Sequence, residues 1–72
     1  MSRLKELRNK FQYSQIKIQL ETGIDQGNYS RMESGEREPT LDQAKALAIL
    51  YHTSIDYIVG LTDEIEPYPR SK

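Results

Sequence analysis

Apolar residues along this chain recur at steps of three and four, which is the spacing of one face of an α-helix. Near the start, Leu4, Leu7 and Phe11 follow this spacing, and Ser2 can cap the helix that they predict. A second stripe in the middle of the chain predicts the clearest helix. Its members are Leu41, Ala44, Leu47, Ala48 and Tyr51. The pattern therefore predicts an all-α fold.

Between these two stripes, capping residues and glycines mark two further helices. Ser14 stands where an N-cap belongs, and Gly23 can take the left-handed conformation that ends a helix. Asp25 follows only two residues later and offers a new N-cap, so the link to the next helix is tight. That helix spans residues 26 to about 34, and Gly35 ends it.

The last third of the chain predicts two helices and a tail. Thr40 caps the helix of the second apolar stripe, and Ser54 caps a short fifth helix that Gly60 ends. The residues after it include two prolines and no helical spacing, which predicts an extended tail. We therefore expect one compact five-helix domain at residues 1–62 and a C-terminal tail at residues 63–72.

The composition excludes several classes of protein. The 72 residues include no cysteine, and a single histidine, His52, does not make a metal site by itself. No apolar run approaches the roughly 20 residues of a membrane helix, and the N-terminus lacks the apolar centre of a signal peptide. No convergent nucleophile, base and oxyanion site can be assembled. We therefore expect a cytoplasmic protein that is not an enzyme and binds no metal, cofactor or membrane.

The net charge of −1 gives no basic excess, but the charge is unevenly distributed. Residues 1–35 have six cations and four anions, whereas residues 36–72 have four cations and seven anions. The N-terminal half is therefore the better candidate for contact with phosphate.

The second and third predicted helices fit a helix-turn-helix unit. Two short helices are joined by a glycine turn, and the second has a polar outer face. In such a unit the second helix can lie in the major groove of DNA. Many small helical domains contain a short-linked helix pair, so this spacing alone also fits a purely structural role.

Several short strings resemble the phage-repressor/Cro-type helix-turn-helix family over about residues 3–62. The strings are Ser14-Gln15, Thr22-Gly23-Ile24, Tyr29-Ser30-Arg31-Met32-Glu33-Ser34-Gly35, Pro39, Leu47-Ala48 and Ser54-Ile55-Asp56-Tyr57. The resemblance implies a five-helix DNA-binding domain that usually works as a dimer on a two-fold related operator. The tail looks like that of short bacterial regulators of this family.

The resemblance points to the third helix as the part that reads bases. Tyr29 and Met32 are expected to point inward, and the outward residues are assigned to base reading: Gln26, Gly27, Asn28, Ser30 and Arg31. Gln26 can pair with two atoms of adenine and Arg31 with two atoms of guanine, each discriminating by about 1–3 kcal/mol. Arg31 can instead hold a phosphate, and the alternative for the whole set is a solvated helix surface.

A second group of residues is assigned to the DNA backbone. Gln15 lies in the first turn of the second helix, where its amide and free backbone N–H groups favour a phosphate oxygen. The residues assigned to phosphate are Ser14, Gln15, Lys17, Ser34 and Arg37. The alternative for Gln15 is an exposed residue in a capped turn, and Glu36 and Glu38 would oppose a contact by Arg37.

The family pattern also implies a structural ion pair between Arg8 and Glu33. Three residues elsewhere in the chain depart from the family pattern. Gln19 stands where the family usually has alanine, so either the two helices sit further apart or Gln19 bends outward. Gly27 replaces a polar residue that often reads a base in the family, so it offers no side chain for that contact. Tyr29 replaces the usual isoleucine or valine. Its hydroxyl must therefore find a hydrogen-bond partner inside the domain or reach the surface, where it could contact a phosphate.

The sequence therefore predicts a sequence-specific transcriptional regulator, a repressor by its resemblance, that binds double-stranded DNA as a homodimer. Apolar residues of the fifth helix and tail that look exposed are assigned to the dimer contact: Tyr57, Leu61, Ile65 and Tyr68. The alternative is an antitoxin-like or scaffolding module that keeps the fold, has lost base reading and binds another protein. Gly27, Gln19 and the negative total charge favour that alternative.

Overall fold

Residues 3–66 are described by a computed structural model, and within them the chain forms five helices and no strand. The helices are α1 (Arg3–Phe11), α2 (Gln15–Thr22), α3 (Gln26–Ser34), α4 (Leu41–Leu50) and α5 (Ile55–Val59). The predicted all-α, five-helix fold is confirmed. In the described range no helix is long and apolar enough to cross a membrane.

The helices begin where the sequence places their caps. The side chains of Ser14, Asp25, Thr40 and Ser54 each accept a hydrogen bond from a backbone N–H two or three residues further on. At Thr40 the bond is reciprocal, because the Gln43 side chain accepts from the Thr40 backbone N–H. These four predicted caps are confirmed, while the predicted cap Ser2 lies outside the described residues.

The turn between α2 and α3 depends on Gly23. Its φ of 79° is in the left-handed region, which glycine adopts without the steric cost that a Cβ would impose. Its N–H donates to the carbonyl oxygen of Gln19, which closes the last turn of α2. Only Ile24 and Asp25 then separate Gly23 from α3, so the link between the two helices is as short as the sequence predicts.

The core lies where the inward faces of all five helices meet. Its buried residues are Leu4, Leu7, Ile18, Ile24, Tyr29, Met32, Leu47, Ala48, Tyr51 and Ile58. Tyr29 and Tyr51 are among its largest fully buried side chains. One member of the second apolar stripe differs from the prediction. Leu41 is 64% exposed because it opens α4, at the end of the helix beyond its buried residues.

The described part of the predicted tail, residues 63–66, contains no helix and packs back on the domain. The Arg3 guanidinium donates to the carbonyl oxygen of Thr62 and to the Asp63 carboxylate. The Thr53 hydroxyl donates to the carbonyl oxygen of Ile65, whose side chain packs against the core. The rest of the tail lies outside the described residues.

Candidate nucleic-acid interface

The outward face of α3 is polar and open to solvent. Gln26, Gly27, Ser30 and Arg31 are exposed, whereas Tyr29 and Met32 on the opposite side are buried in the core. Asn28 is half-buried at the edge of this face, and its Oδ1 accepts a hydrogen bond of 3.3 Å from Arg31 Nη1. The structure therefore brings all five residues predicted to read bases onto one helix, four of them exposed.

An ion pair ties α1 to α3 behind this face. Arg8 donates from Nε to Glu33 Oε2 at 2.6 Å and from Nη2 to Glu33 Oε1 at 3.2 Å. Only 7% of the Glu33 side chain is exposed. The structure thus brings together the two residues that the resemblance paired, in the two-point geometry that arginine and carboxylate favour.

The environment of this pair keeps both partners charged. Burial raises the pKa of Glu33, but the hydrogen bonds and charge of Arg8, together with the hydrogen bond from Gln15, outweigh it, and the pKa lies below its ordinary value. The hydrogen bond to Glu33 is the largest influence on Arg8, and it raises the pKa of the guanidinium despite the effect of burial. The pair therefore stays ionised across the neutral range.

Gln15 connects this ion pair to the first residue of the exposed face. Its Nε2 donates to Glu33 Oε1 at 3.2 Å, and its Oε1 accepts from Gln26 Nε2 at 3.2 Å. A chain of side chains thus runs from Arg8 through Glu33 and Gln15 to Gln26. The sequence predicts Gln15 as a phosphate contact or as an exposed residue in a capped turn. It does not predict these internal hydrogen bonds, because they join residues of two different helices.

The amino end of α3 is capped by side chains from two sources. Asp25 Oδ2 accepts from the N–H groups of Gly27 and Asn28 at 3.0 and 3.4 Å. Gln19 Oε1 accepts from the N–H of Gln26 at 2.9 Å. The Gln19 side chain is exposed, while Ile18 beside it is fully buried in the core. Of the two alternatives for Gln19, the structure has the outward one.

The residues predicted to contact phosphate lie in two groups. Ser14, Gln15 and Lys17 are at the start of α2, where Ser14 is the N-cap and Lys17 Nζ is 3.3 Å from Glu21 Oε2. Ser34 is the last residue of α3, and Arg37 lies in the loop after it. The Ser34 hydroxyl donates to the carbonyl oxygen of Arg31, and Arg37 is exposed.

The Tyr29 hydroxyl is not at the surface, so the suggestion that it reaches phosphate is wrong. It shares a hydrogen bond of 2.7 Å with the Tyr51 hydroxyl and donates at 3.4 Å to the carbonyl oxygen of Leu4. Burial raises the pKa of both phenols, that of Tyr51 to about 12. The departure at this position is therefore accommodated by a buried pair of hydroxyls.

The apolar residues predicted to form a dimer contact differ in exposure. Leu61 is 78% exposed, but Tyr57 and Ile65 are half-buried and pack against the core, so the prediction that these two are exposed is wrong. Arg3 explains part of this, because its guanidinium lies 4.4 Å from the centre of the Tyr57 ring. Tyr68 lies outside the described residues.

The comparisons with known proteins agree with this geometry. A model of the helix-turn-helix family matches residues 4–58, and the chain therefore belongs to the helix-turn-helix family. This confirms the family predicted from the sequence, which consists of DNA-binding regulators rather than enzymes.

Two curated relatives are similar over most of this chain. It is 37% identical over 65 residues to the uncharacterized HTH-type transcriptional regulator YobD of Bacillus subtilis strain 168, covering 90% of this chain and 58% of that protein. It is 38% identical over 63 residues to the HTH-type transcriptional regulator ImmR of the same strain, covering 88% of this chain and 49% of that protein. The chain thus spans about half the length of these relatives. No solved structure gives a significant match.

Proposed function

We propose that this chain binds double-stranded DNA sequence-specifically by inserting α3 into the major groove. The observation that carries this proposal is the exposed polar face of α3, which is backed by the buried side chains of Tyr29 and Met32. The major groove of DNA is wide enough to admit an α-helix, and the base edges in it offer hydrogen-bond donors and acceptors. Membership of the helix-turn-helix family supports the same function.

Gln26 and Arg31 are the main base-reading residues in this proposal. Gln26 Nε2 gives one N–H to Gln15, which leaves its second N–H and its Oε1 for a base. Adenine offers a matching acceptor at N7 and a donor at N6. Arg31 pairs with guanine or, in a second arrangement, with a phosphate. Ser30 and Asn28 complete the polar face, and Gly27 lets the DNA approach the helix closely.

The DNA backbone is held by the start of α2 and by the loop after α3. Within residues 3–66 the backbone N–H groups of Gln15 and Ile16 have no acceptor, and such groups at a helix start favour phosphate oxygens. Lys17, Ser14, Ser34 and Arg37 contribute further phosphate contacts. If so, the logarithm of the affinity falls linearly with the logarithm of the salt concentration, with a slope set by the number of neutralised phosphates.

The protein acts as a homodimeric repressor in the cytoplasm in this proposal. Two copies related by a two-fold axis would place their α3 helices in successive major grooves about 34 Å apart. A second copy would cover two apolar side chains, Val59 at the end of α5 and Leu61 just after it. A bound dimer excludes other proteins from the same stretch of DNA, which is the simplest route to repression.

The proposal is tested by selecting bound duplexes from a random library and measuring their affinity by mobility shift. We expect Gln26→Ala to lose discrimination at one base pair of each half-site, while the wild-type chain retains it. Asn9→Ala is the matched control, because it removes an exposed side-chain amide from α1, and Asn9 is not among the residues assigned to base or phosphate contact. Absence of duplex binding at low salt, or unchanged discrimination in Gln26→Ala, would contradict the proposal.

One observation favours the second candidate, a protein-binding module of the same fold. Large apolar side chains are exposed on α2 and α4, with Leu20 77% and Ile49 70% exposed. Such residues are frequent at protein contacts. Recovery of a protein partner by the chain, together with the absence of any protected DNA in a footprint, would decide for this candidate.

A further inference from the structure

Gln19 lies on α2 and reaches across the glycine turn to the first residue of α3. Its Oε1 accepts a hydrogen bond of 2.9 Å from the Gln26 N–H, seven residues further along the chain. The first N–H groups of a helix have no acceptor within the helix, so this bond satisfies one that would otherwise face solvent. Both side chains are exposed, so the contact is formed at the surface that includes the polar face of α3.

Gln26 is consequently held by α2 at two points. Gln19 binds its backbone N–H, and Gln15 Oε1 accepts from its side-chain Nε2 at 3.2 Å. Gln15 and Gln19 are four residues apart, one turn of the same helix, so they are neighbours on its surface. One contact fixes where the Gln26 side chain starts, and the other fixes the direction in which it points.

We propose that Gln19 is a positioning residue for base recognition by Gln26. The inference rests on the proposed function, because it assigns to Gln19 the placement of a side chain that reads a base. A two-point contact with a base needs both atoms at hydrogen-bond distance at once, so a small shift of the Gln26 backbone weakens it. Phosphate contacts elsewhere on the domain do not depend on that shift.

The structure also indicates that α3 survives the loss of Gln19. Asp25 still caps Gly27 and Asn28, and the buried residues of α2 and α3 do not include Gln19. Gln19→Ala therefore removes the bond to Gln26 and leaves the other caps. Gln19→Glu keeps an acceptor oxygen at the same reach, but it replaces the amide N–H groups and adds a negative charge beside the DNA.

The test uses a duplex selected from a random library by the wild-type chain, with the base pair read by Gln26 identified through Gln26→Ala. A two-point contact supplies roughly 5- to 150-fold discrimination, and we expect Gln19→Ala to lower the discrimination at that base pair by at least about threefold. We expect Gln19→Glu to keep that discrimination while binding every duplex more weakly, because its charge repels phosphate. Leu20→Ala, an exposed neighbour on α2, serves as the matched control and should bind as the wild type does.

Full discrimination in Gln19→Ala, or an equal loss of affinity for every duplex, would overturn the inference while leaving DNA binding intact. Failure of the wild-type chain to bind any duplex would instead contradict the proposed function. In that case the exchange rate of the Gln26 backbone N–H still tests whether Gln19 accepts its hydrogen bond. The amide should exchange faster in Gln19→Ala than in the wild type, and equal rates would overturn the inference.

Discussion

At the scale of single residues, the least replaceable side chains are polar groups that the fold has buried with their partners. Glu33 is the clearest case, because its carboxylate receives hydrogen bonds from Arg8 on α1 and from Gln15 on α2. Removing one partner of a buried ion pair leaves a charge without compensation, which costs more than the pair itself contributes. The domain is small, so such a loss is a large share of its stability.

Glu33 should make the stability of the domain depend on pH in the acid range. Its pKa is lowered on folding from an ordinary value of 4.5. Its contribution is therefore fully present above about 4.5 and is lost as the pH falls through the lower pKa of the folded state. We expect Glu33→Gln to cost about 1.5–3 kcal/mol at pH 7 and to flatten this acid dependence. Urea unfolding at a series of pH values measures both effects. If the free energy of unfolding depended on pH equally in the wild type and in Glu33→Gln below pH 4.5, Glu33 would not be the group responsible.

The hydrogen bond between Tyr29 and Tyr51 should show strong coupling in a double-mutant cycle. Tyr29→Phe leaves the Tyr51 hydroxyl buried without this bond, and Tyr51→Phe leaves the Tyr29 hydroxyl with only its 3.4 Å bond to the Leu4 carbonyl oxygen. Each single change should therefore cost about 1–3 kcal/mol. Changing both residues removes the two polar groups together and keeps the shape of the rings. We therefore expect the free energy of unfolding of the double variant to fall by clearly less than the sum of the two single losses. An additive result in urea unfolding would show that the hydroxyls do not depend on each other.

At the scale of helices, α2 is the element that places the proposed reading helix. It packs against α3, contributes the buried Ile18 to the shared core, and binds Gln26 through the side chains of Gln15 and Gln19. The amino end of α3 is thus fixed to α2, while its other end is fixed to α1 by the Arg8–Glu33 pair. A helix held at both ends needs little reorganisation when it meets a rigid partner.

Gln15→Ala should therefore affect binding in two ways, not one. Loss of the proposed phosphate contact at the start of α2 should weaken binding to every duplex alike. Loss of the hydrogen bond to Gln26 also frees that side chain, so discrimination at its base pair should fall by about threefold or more. Affinities for the selected duplex and for its single-base variants separate the two effects. A uniform loss across all duplexes would mean that Gln15 acts on phosphate only.

Much of this arrangement could be predicted from the sequence, because it depends on local rules. Capping side chains and helix-ending glycines act within a few residues, so Ser14, Gly23 and Asp25 marked the turn correctly. The contacts of Gln15 and Gln19 with Gln26 could not be predicted in this way. They depend on how α2 and α3 pack and on which rotamers that packing allows. The family resemblance paired Arg8 with Glu33, but no local pattern would have done so.

At the scale of the whole molecule, the proposed homodimer requires an exposed apolar surface that a second copy can cover. The described part of the tail is held against the domain by Arg3 and Thr53, and the half-buried side chains of Tyr57 and Ile65 pack against the core. Leu61 therefore stands out as the most exposed apolar side chain between α5 and the end of the described residues. This narrows the proposed dimer surface to the neighbourhood of one residue.

Leu61→Asp should weaken self-association without unfolding the domain. A carboxylate at an apolar contact would lose its hydration there, so the dimer would be destabilised, while an exposed position tolerates the change in the monomer. Sedimentation at tens of micromolar should give two chains for the wild type and one for this variant. Glu64→Ala, on the exposed segment three residues further on, is the control. A single-chain mass for the wild type would contradict the proposed dimer.

The contact of Arg3 with Thr62 and Asp63 places the first described helix next to the last described segment. A short flexible linker could therefore join these two regions, and new ends could be opened in the exposed loop at residues 36–38. Such a circularly permuted chain would begin with α4 and finish with α3. The proposed reading helix, α3, would then be synthesised last, after the α1 and α2 against which it packs.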